Sequence, residues 1–426
     1  MTSKYLFGII LAMMSMASWA QRPVPAPPQS QPIAVIGGRA HLGNGAVIEN
    51  ALITFAEGKI TSVGHANEQR ELEGYQRIDA SGKEIYPGLI APNTTLGLVE
   101  INAIRSTRDL NEVGQLNPNA RAIIAYNTDS QVTPTVRSRG VMYAQTTPQG
   151  GLISGSSSIV QLDAWNWEDA AVRTDEGIHI NWPRRRSYNW QAGEWTDNKD
   201  YAKEVENLRT YLEQAQAYCE APDPEANLRL GAMCGLFSGK QQLYIHANLA
   251  PDILQAIALA QSFELPLVVV GGAQSYLLSD ALKQAEVAVI LGPTHGLPST
   301  LDEDIDQAFR TPALLHAAGV RFCLSNEGHW QQRNLPFLTG SAIAYGLPYE
   351  AAVQAVTLNA AKILGFDSEA GSLEVGKAAT LIIVDGDVFD MRSSQVEQAF
   401  IDGRQIDLDN KQAELYRNFK AKYRRN

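Results

Sequence analysis

The chain has three cysteines in 426 residues, no excess of basic charge and a single long apolar run, which lies at its start. So few thiols exclude a disulfide-held mini-protein and allow one internal bridge at most. Cys219 and Cys234 can pair or can sit as small buried hydrophobes. The second reading is preferred, and Cys323 in Val320-Arg-Phe-Cys-Leu324 reads as a buried strand residue. Lys+Arg 35 against Asp+Glu 46 gives a net charge of −11, a field that repels polyphosphate and offers no reason for a nucleic-acid partner. Hydrophobic residues at 45% and charged residues at 19% place the chain among folded globular proteins rather than disordered ones.

The apolar run follows Lys4, extends from Tyr5 to Met14 and closes on the small residues of Ser18-Trp19-Ala20. That pattern reads as a secretory signal cut after Ala20, and the run is shorter than the roughly 20 residues of a transmembrane anchor. Residues 21–32 are Pro-rich and read as an extended linker. The expectation is an exported protein, periplasmic or secreted, with no transmembrane anchor.

Residues 33–86 alternate short apolar segments with Gly58, Gly64 and Gly82, the pattern of a small β module. From Tyr86 onward strands alternate with helical stretches: Leu243-Tyr-Ile-His246, Leu267-Val-Val-Val270, Val287-Ala-Val-Ile-Leu291 and Val320-Arg-Phe-Cys-Leu324 each precede a helical pattern, which implies a parallel sheet. Pro251 in an opening turn, followed by Ile253, Ile257 and Ala260, marks a helix with one stripe against that sheet. Residues 87–365 have the length of an eight-stranded barrel, typically about 250 residues, with insertions, and a doubly wound sheet is the competing architecture. Strands return at Thr380-Leu-Ile-Ile-Val384 and Gln398-Ala-Phe-Ile401, so both chain ends read as one β module.

Ile85-Tyr-Pro-Gly-Leu-Ile90, Thr357-Leu-Asn-Ala-Ala-Lys362, Gly371-Ser-Leu-Glu-Val-Gly-Lys377, Leu381-Ile-Ile-Val-Asp385 and Ile401-Asp-Gly-Arg404 resemble, in order and spacing, the amidohydrolase superfamily and its imidazolonepropionase-like branch. The resemblance runs from about residue 33 to 408. It implies an α/β fold: a (β/α)8 TIM-type barrel over 87–365, with a composite β-sandwich from 33–86 and 366–408; beyond it, the apolar spacing of a basic segment reads as an amphipathic C-terminal helix over 409–426. It also implies hydrolysis of a carbon–nitrogen bond, of the cyclic-amide or dipeptide-like kind, in a small molecule.

In that family a divalent metal lowers the pKa of bound water, held by a His-x-His pair after the first strand, histidines after the fifth and sixth, and an aspartate after the eighth. Carried onto this chain, the pair falls on Asn93 and Thr95, the fifth-strand histidine is kept as His246, the sixth strand ends in Gly271-Gly272, and the aspartate falls on Asn326. Neutral amides and hydroxyls are poor zinc ligands, so the usual binuclear centre is not expected. What remains is either a rebuilt mononuclear site from His246, His295 and His329, with Glu327 nearby, or no metal at all. His179 and His316 have weaker claims. The expected catalytic residues are His246, Asn326 and Glu327, and the expected pocket residues are Asn93, Thr95, Gly150, Gly151, Ser154 and Gly272.

Thr147 to Ser158 reads as a Gly/Ser loop whose amides could bind an anion, and it lacks both the P-loop and nucleophile-elbow endings. Arg184, Arg185, Arg186, Tyr188 and Trp190 read as an insertion over the barrel, with buried tryptophans favoured over ligand stacking. Leu415, Phe419 and Tyr423 stripe a basic C-terminal helix expected to dock on the protein itself. Two functional expectations stand side by side: a small-molecule hydrolase, or an inactive homologue that binds a small molecule or pairs, as homo-oligomer or heteromer, with a metal-complete amidohydrolase paralogue.

Overall fold

The structure is a computed structural model that describes residues 24–67, 71–191, 193–298, 300 and 302–423; the segment read as an export signal lies outside the described residues. Near the start of the chain, short strands rich in Ile, Val and Ala form two sheets. One has four strands, in the spatial order Lys59–His65, Ala51–Ala56, Ile33–Ile36, Gln76–Asp79. The other has six, in the order Arg404–Gln405, Gln395–Ile401, Leu381–Asp385, Glu84–Pro87, Arg39–His41, Val47–Ile48, and so interleaves both chain ends. Val35, Ile53 and Phe55 of the first sheet share a core with Ile85, Leu381, Ile383 and Phe400 of the second. Full burial stabilises each such side chain by about 1.5–3 kcal/mol.

The central sheet has eight strands: β1 Leu89–Thr94, β2 Val141–Thr146, β3 Ile153–Gln161, β4 Ala171–Asn181, β5 Gln242–Ala247, β6 Leu267–Gly271, β7 Ala288–Leu291 and β8 Phe322–Leu324, paired in that order. The barrel expectation holds with one departure from an all-parallel sheet. Strand β3 runs antiparallel to both β2 and β4, while β1–β2 and β4 through β8 are parallel. The physical reason is connection length: β2 reaches β3 through residues 147–152 only, too few for a parallel crossover. The anticipated Gly/Ser loop is therefore half strand, since residues 153–158 already belong to β3.

The first and last strands close the ring through side chains and loops. Ser325 Oγ donates to Pro92 O at 2.7 Å, Thr95 N donates to Gly328 O at 3.1 Å, and Thr94 Oγ1 also donates to Gly328 O. The helix with Pro251 in its opening turn forms as expected, α1 Ala250–Ser262, burying Ile253, Ile257 and Ala260. Two polar clusters clamp the β module to the barrel. Asp163 accepts from Arg137, from Arg404 Nη1 at 2.9 Å and from Ala26 N at 2.9 Å. His41 lies between Glu350 (2.7 Å) and Glu84 (3.0 Å), stacked on Tyr86.

Two expectations fail. Cys219 and Cys234 are not separate buried hydrophobes but a disulfide, with Cα atoms 5.4 Å apart; Cys323 is free and buried, as expected. The C-terminal helix α2, Lys411–Tyr423, buries none of its residues, so its Leu415, Phe419 and Tyr423 stripe does not dock as a packed face. Near its start Gln412 bonds the body, accepting from Thr135 Oγ1 at 2.7 Å. None of the described helices is long and apolar enough to cross a membrane.

The bridge closes a short loop at the end of the long helix Tyr201–Glu220. Replacing both Cys219 and Cys234 by serine is expected to cost about 3 kcal/mol of unfolding free energy, from the closure entropy of a loop of this size. Urea denaturation of the double variant measures it, and an unchanged midpoint would show that the bridge contributes nothing.

Candidate functional site

A cleft of about 1920 Å³ opens at the carboxyl ends of the parallel strands, the end at which TIM-type barrels carry their chemistry. Its walls come from Asn93 near the end of β1, Gly150 and Gly151 before β3, residues 181–186 at and after the end of β4, residues 246–249 at and after the end of β5, Leu297, Thr300 and Ile305 after β7, and Glu327 after β8. Asn93 and Glu327 have φ of +49° and +35°, a backbone region that non-glycine side chains rarely occupy.

Beneath the cleft floor lies a continuous polar network inside the barrel. His246 is followed inward by His179, whose Nδ1 is 2.9 Å from His246 Nε2. His179 Nε2 is 2.8 Å from Ser157 Oγ, and the Ser157 hydroxyl donates to Glu176 Oε1. Glu176 also accepts from Gln145 Nε2 at 2.7 Å and Tyr244 OH at 2.8 Å. Gln145 Oε1 in turn accepts from Asn93 N at 2.9 Å, joining the network to the cleft wall. The His179 ring stacks on Tyr244 with centroids 4.5 Å apart.

Strand periodicity explains the assembly. Tyr244 and His246 are two apart on β5 and share its inner face, and β4 pairs with β5 so that His179 stands opposite Tyr244 and Asn181 opposite His246. Burial pushes the Glu176 carboxyl above its ordinary value, opposed by its Gln145, Ser157 and Tyr244 donors. Burial lowers His246 to about 4, and burial with the neighbouring His246 holds His179 well below its usual range. The Tyr244 phenol is held well above its ordinary value by burial and by Glu176, which keeps it a donor.

The residues at the family's metal positions do not fit a metal centre. Among the described residues no group of three or more His, Cys, Asp or Glu side chains is placed to hold an ion. Asn326 is buried, and its amide donates to Gln331 O, tying a loop rather than facing the cleft. Thr95 is buried behind the wall. At Gly271, φ +95°, a Cβ would stand 2.5 Å from Asn248 Oδ1, and at Gly272 one would stand 2.6 Å from Val289 Cγ1, so the end of β6 has no room for a ligand side chain. The anticipated His246, His295 and His329 set does not assemble. His295 bonds Ser341 Oγ at 2.7 Å on the helix Leu335–Ala344. His329 is buried, with Nε2 unpaired; burial lowers its pKa while Glu100 opposes the shift.

Of the other anticipated residues, Asn93, Gly150, Gly151, His246 and Glu327 line the cleft, whereas Thr95, Ser154, Gly272 and Asn326 do not. Ser154 is buried and accepts from Asn181 Nδ2 at 2.9 Å. Burial raises the Glu327 carboxyl. The insertion forms a hairpin, Arg186–Asn189 with Glu194–Asp197, but its tryptophans are not buried: Trp190 is 87% and Trp195 59% exposed, and only Trp182 is inside. Trp165, outside the insertion, is 63% exposed as well. Arg185 pairs with Asp252 and lies over the Tyr201 ring, leaving Arg184 exposed on the cleft wall. Glu176 and Ser157 carry no local sequence mark of a site; for His179 the signal is the strand alternation Gly177-Ile-His-Ile180, which sets it on one face of β4.

The profile of the Amidohydrolase family matches residues 270–406. No curated protein matches the chain. Among solved structures, an amidohydrolase from Thermotoga maritima MSB8 is 24% identical with a TM-score of 0.79, covering 88% of this chain and 99% of that one. A Xaa-Pro dipeptidase with bound methionine in its active site is 15% identical with a TM-score of 0.55, covering 88% of this chain and 100% of that one. A prolidase complexed with N-methylphosphonate-L-proline is 16% identical with a TM-score of 0.55, over 88% and 99%. The likenesses establish the fold, an amidohydrolase-type barrel. With the matched profile over the last barrel strands and the returning β strands, the chain's resemblance to the amidohydrolase superfamily stands.

The depressed imidazoles set a pH dependence of stability. A base whose folded pKa lies below its unfolded value of about 6.5 contributes stability that is lost as pH falls through the folded value. For His246 the window runs from there down to about 4, and His179 acts in the same sense. Glu176, raised in the fold, acts oppositely and gains stability as pH falls. Two imidazoles against one carboxyl predict a net loss on acidification. His246→Asn should flatten the dependence of unfolding free energy on pH by about one proton, measured by urea denaturation between neutrality and the acid limit of folding. A slope equal to that of the wild type would contradict the placement of His246.

Proposed function

We propose that this chain hydrolyses a carbon–nitrogen bond of a small amide, cyclic amide or dipeptide-like molecule held in the cleft, with His246 as the group that takes a proton from the attacking water. The observation that supports this reading is a neutral imidazole on the cleft wall, backed by a buried hydrogen-bonded chain, at the fifth-strand position of an amidohydrolase-type barrel. Because the donor set does not suit a metal centre, no step is assigned to one. Asn93 and the Gly150-Gly151 turn border the same space and supply polar and backbone groups to orient the amide. The Cys219–Cys234 bridge supports an oxidising, exported location.

One specific observation favours a second reading. Of the family metal positions other than His246, Asn326 ties a loop, Thr95 is buried behind the wall and the end of β6 carries only glycines, which suits a non-catalytic homologue that binds a small molecule or partners a metal-complete relative.

Assay of purified protein against N-acyl amino acids, dipeptides and cyclic amides, with divalent metal added and with chelator, separates the two. The catalytic reading expects turnover of at least one class and a fall of about 10²–10⁴-fold in His246→Ala. Elemental analysis of both proteins accompanies the assay, and the absence of stoichiometric metal that falls with His246→Ala is expected. No turnover under either condition, with the small molecules still bound by calorimetry, would establish the binding role instead.

A further inference from the structure

The hydrogen-bond chain behind His246 has only two self-consistent orders of protons. Glu176 ends it inside the barrel, where Gln145 Nε2 can only donate to Oε1 and the Tyr244 hydroxyl reaches Oε2. With Glu176 ionised, Ser157 donates to Oε1 and its oxygen accepts from His179 Nε2–H. Gln145 Nε2 lies 3.3 Å from the same Ser157 oxygen, which reinforces its role as acceptor. His179 Nδ1 is then a lone pair, and His246 must present Nε2–H to it across 2.9 Å. His246 Nδ1 is left as the only basic nitrogen of that ring, with no protein partner among the described residues. In the reversed order every hydrogen has moved one bond inward, and Glu176 is a neutral acid.

We infer that Glu176 is the buried store for a proton accepted at His246, reached through His179 and Ser157. A proton arriving at His246 Nδ1 from the cleft is matched by transfer of the Nε2 proton to His179 Nδ1. The His179 Nε2 proton then passes to Ser157 Oγ, and the Ser157 hydroxyl proton to Glu176 Oε1. Both imidazoles end neutral in the opposite tautomer, Ser157 is unchanged, and the single negative charge of the cluster is extinguished. No group is oxidised, and no heavy atom need move further than a hydrogen-bond adjustment.

Physical chemistry favours this route over a stored imidazolium. Two histidines in ring contact inside a barrel cannot hold a positive charge without losing solvation, and burial depresses both. The same burial disfavours the Glu176 anion, so the inward shift removes one buried charge and creates none. His179, Ser157 and Glu176 are thus positioning and relay residues that act through His246 and do not touch a substrate. The groups facing the chain are Tyr244 and Arg173 near Glu176, Cys323 near Tyr244, and Glu327 on the cleft wall beyond His246.

The inference rests on His246 as the proton acceptor of the proposed reaction, but its test needs no turnover, so the two can fail separately. Protein labelled with ¹⁵N-histidine is titrated with acid while ¹⁵N shifts report each tautomer and infrared difference spectra report protonated carboxylic acid. Wild type is expected to start with both rings as Nε2–H, then to convert both to Nδ1–H together with a carboxylic-acid band, on one midpoint. Glu176→Gln should lose that band, and Ser157→Ala should separate ring and carboxyl events by about one pH unit or more. Growth of an imidazolium at His246 without the band, or a starting Nδ1–H tautomer there, overturns the inference. The wild-type titration decides this even where a variant does not fold.

Discussion

One carboxylate organises the interior of this barrel. Glu176 projects from β4 and is held by donors from β2, β3 and β5, so four adjacent strands share a single buried acceptor. An ionised carboxylate in an apolar interior is tolerated only when its lone pairs are met, and three donors meet them here. That requirement fixes the side chains around it: a carboxamide at 145, a hydroxyl at 157 and a phenol at 244. Losing any one would leave a buried charge short of a partner, a larger penalty than the net value of the bond itself. The network also sets the state of the site above. His179 is oriented by Ser157 and by stacking on Tyr244, and His246 is oriented by His179.

The mouth of the barrel follows a different logic from the one its fold resemblance implies. A metal centre gathers strand ends by sharing an ion among them. Here the ends of β8 and β1 are joined by neutral hydrogen bonds, Ser325 to the carbonyl of Pro92 and Thr94 and Thr95 to Gly328, while Asn326 donates to Gln331 within the loop after β8. Asn93 completes the set through its backbone bond to Gln145. The Ser325, Thr94 and Thr95 ties close β8 onto β1 without a continuous ladder, and Asn326 spends its side-chain amide on the loop instead of turning it to the cleft. At β6 the glycines permit Asn248 and Val289 to approach where a histidine side chain would sit.

Much of the architecture was legible because it rests on periodicity. Apolar strands followed by helical stripes, the Pro251 start of α1 and the matching β segments at the two ends all express patterns of two and 3.6 residues. His246 at the end of β5 was legible for the same reason, being the terminus of Leu243-Tyr-Ile-His246. The buried network was not, because its members look locally like something else. Ser156, Ser157 and Ser158 have poor strand propensity and sit beside glycines, so they read as loop; Glu176 sits in Thr174-Asp-Glu-Gly177, a run that suggests a turn. Pairing with two neighbouring strands overrides both local preferences. The disulfide required a Cα distance that spacing alone does not supply.

The reversed strand and the small residues it carries account for why the network fits at all. A barrel interior is packed to near-crystalline density, so room for two stacked rings and a carboxylate must be taken from a neighbour. β3 gives up that volume: over residues 154–158 it offers only serine and glycine, and Ser157 presents a hydroxyl where an aliphatic side chain would collide with His179 or Glu176. Its antiparallel course also brings the Gly150-Gly151 turn to the cleft end of the barrel, beside Asn181 and His246. The same short connection that breaks the parallel pattern therefore does two things. It lines the cleft with backbone, and it sets a polar, small-residue strand against the histidines, so that the chemistry of the floor depends on the topology of the wall.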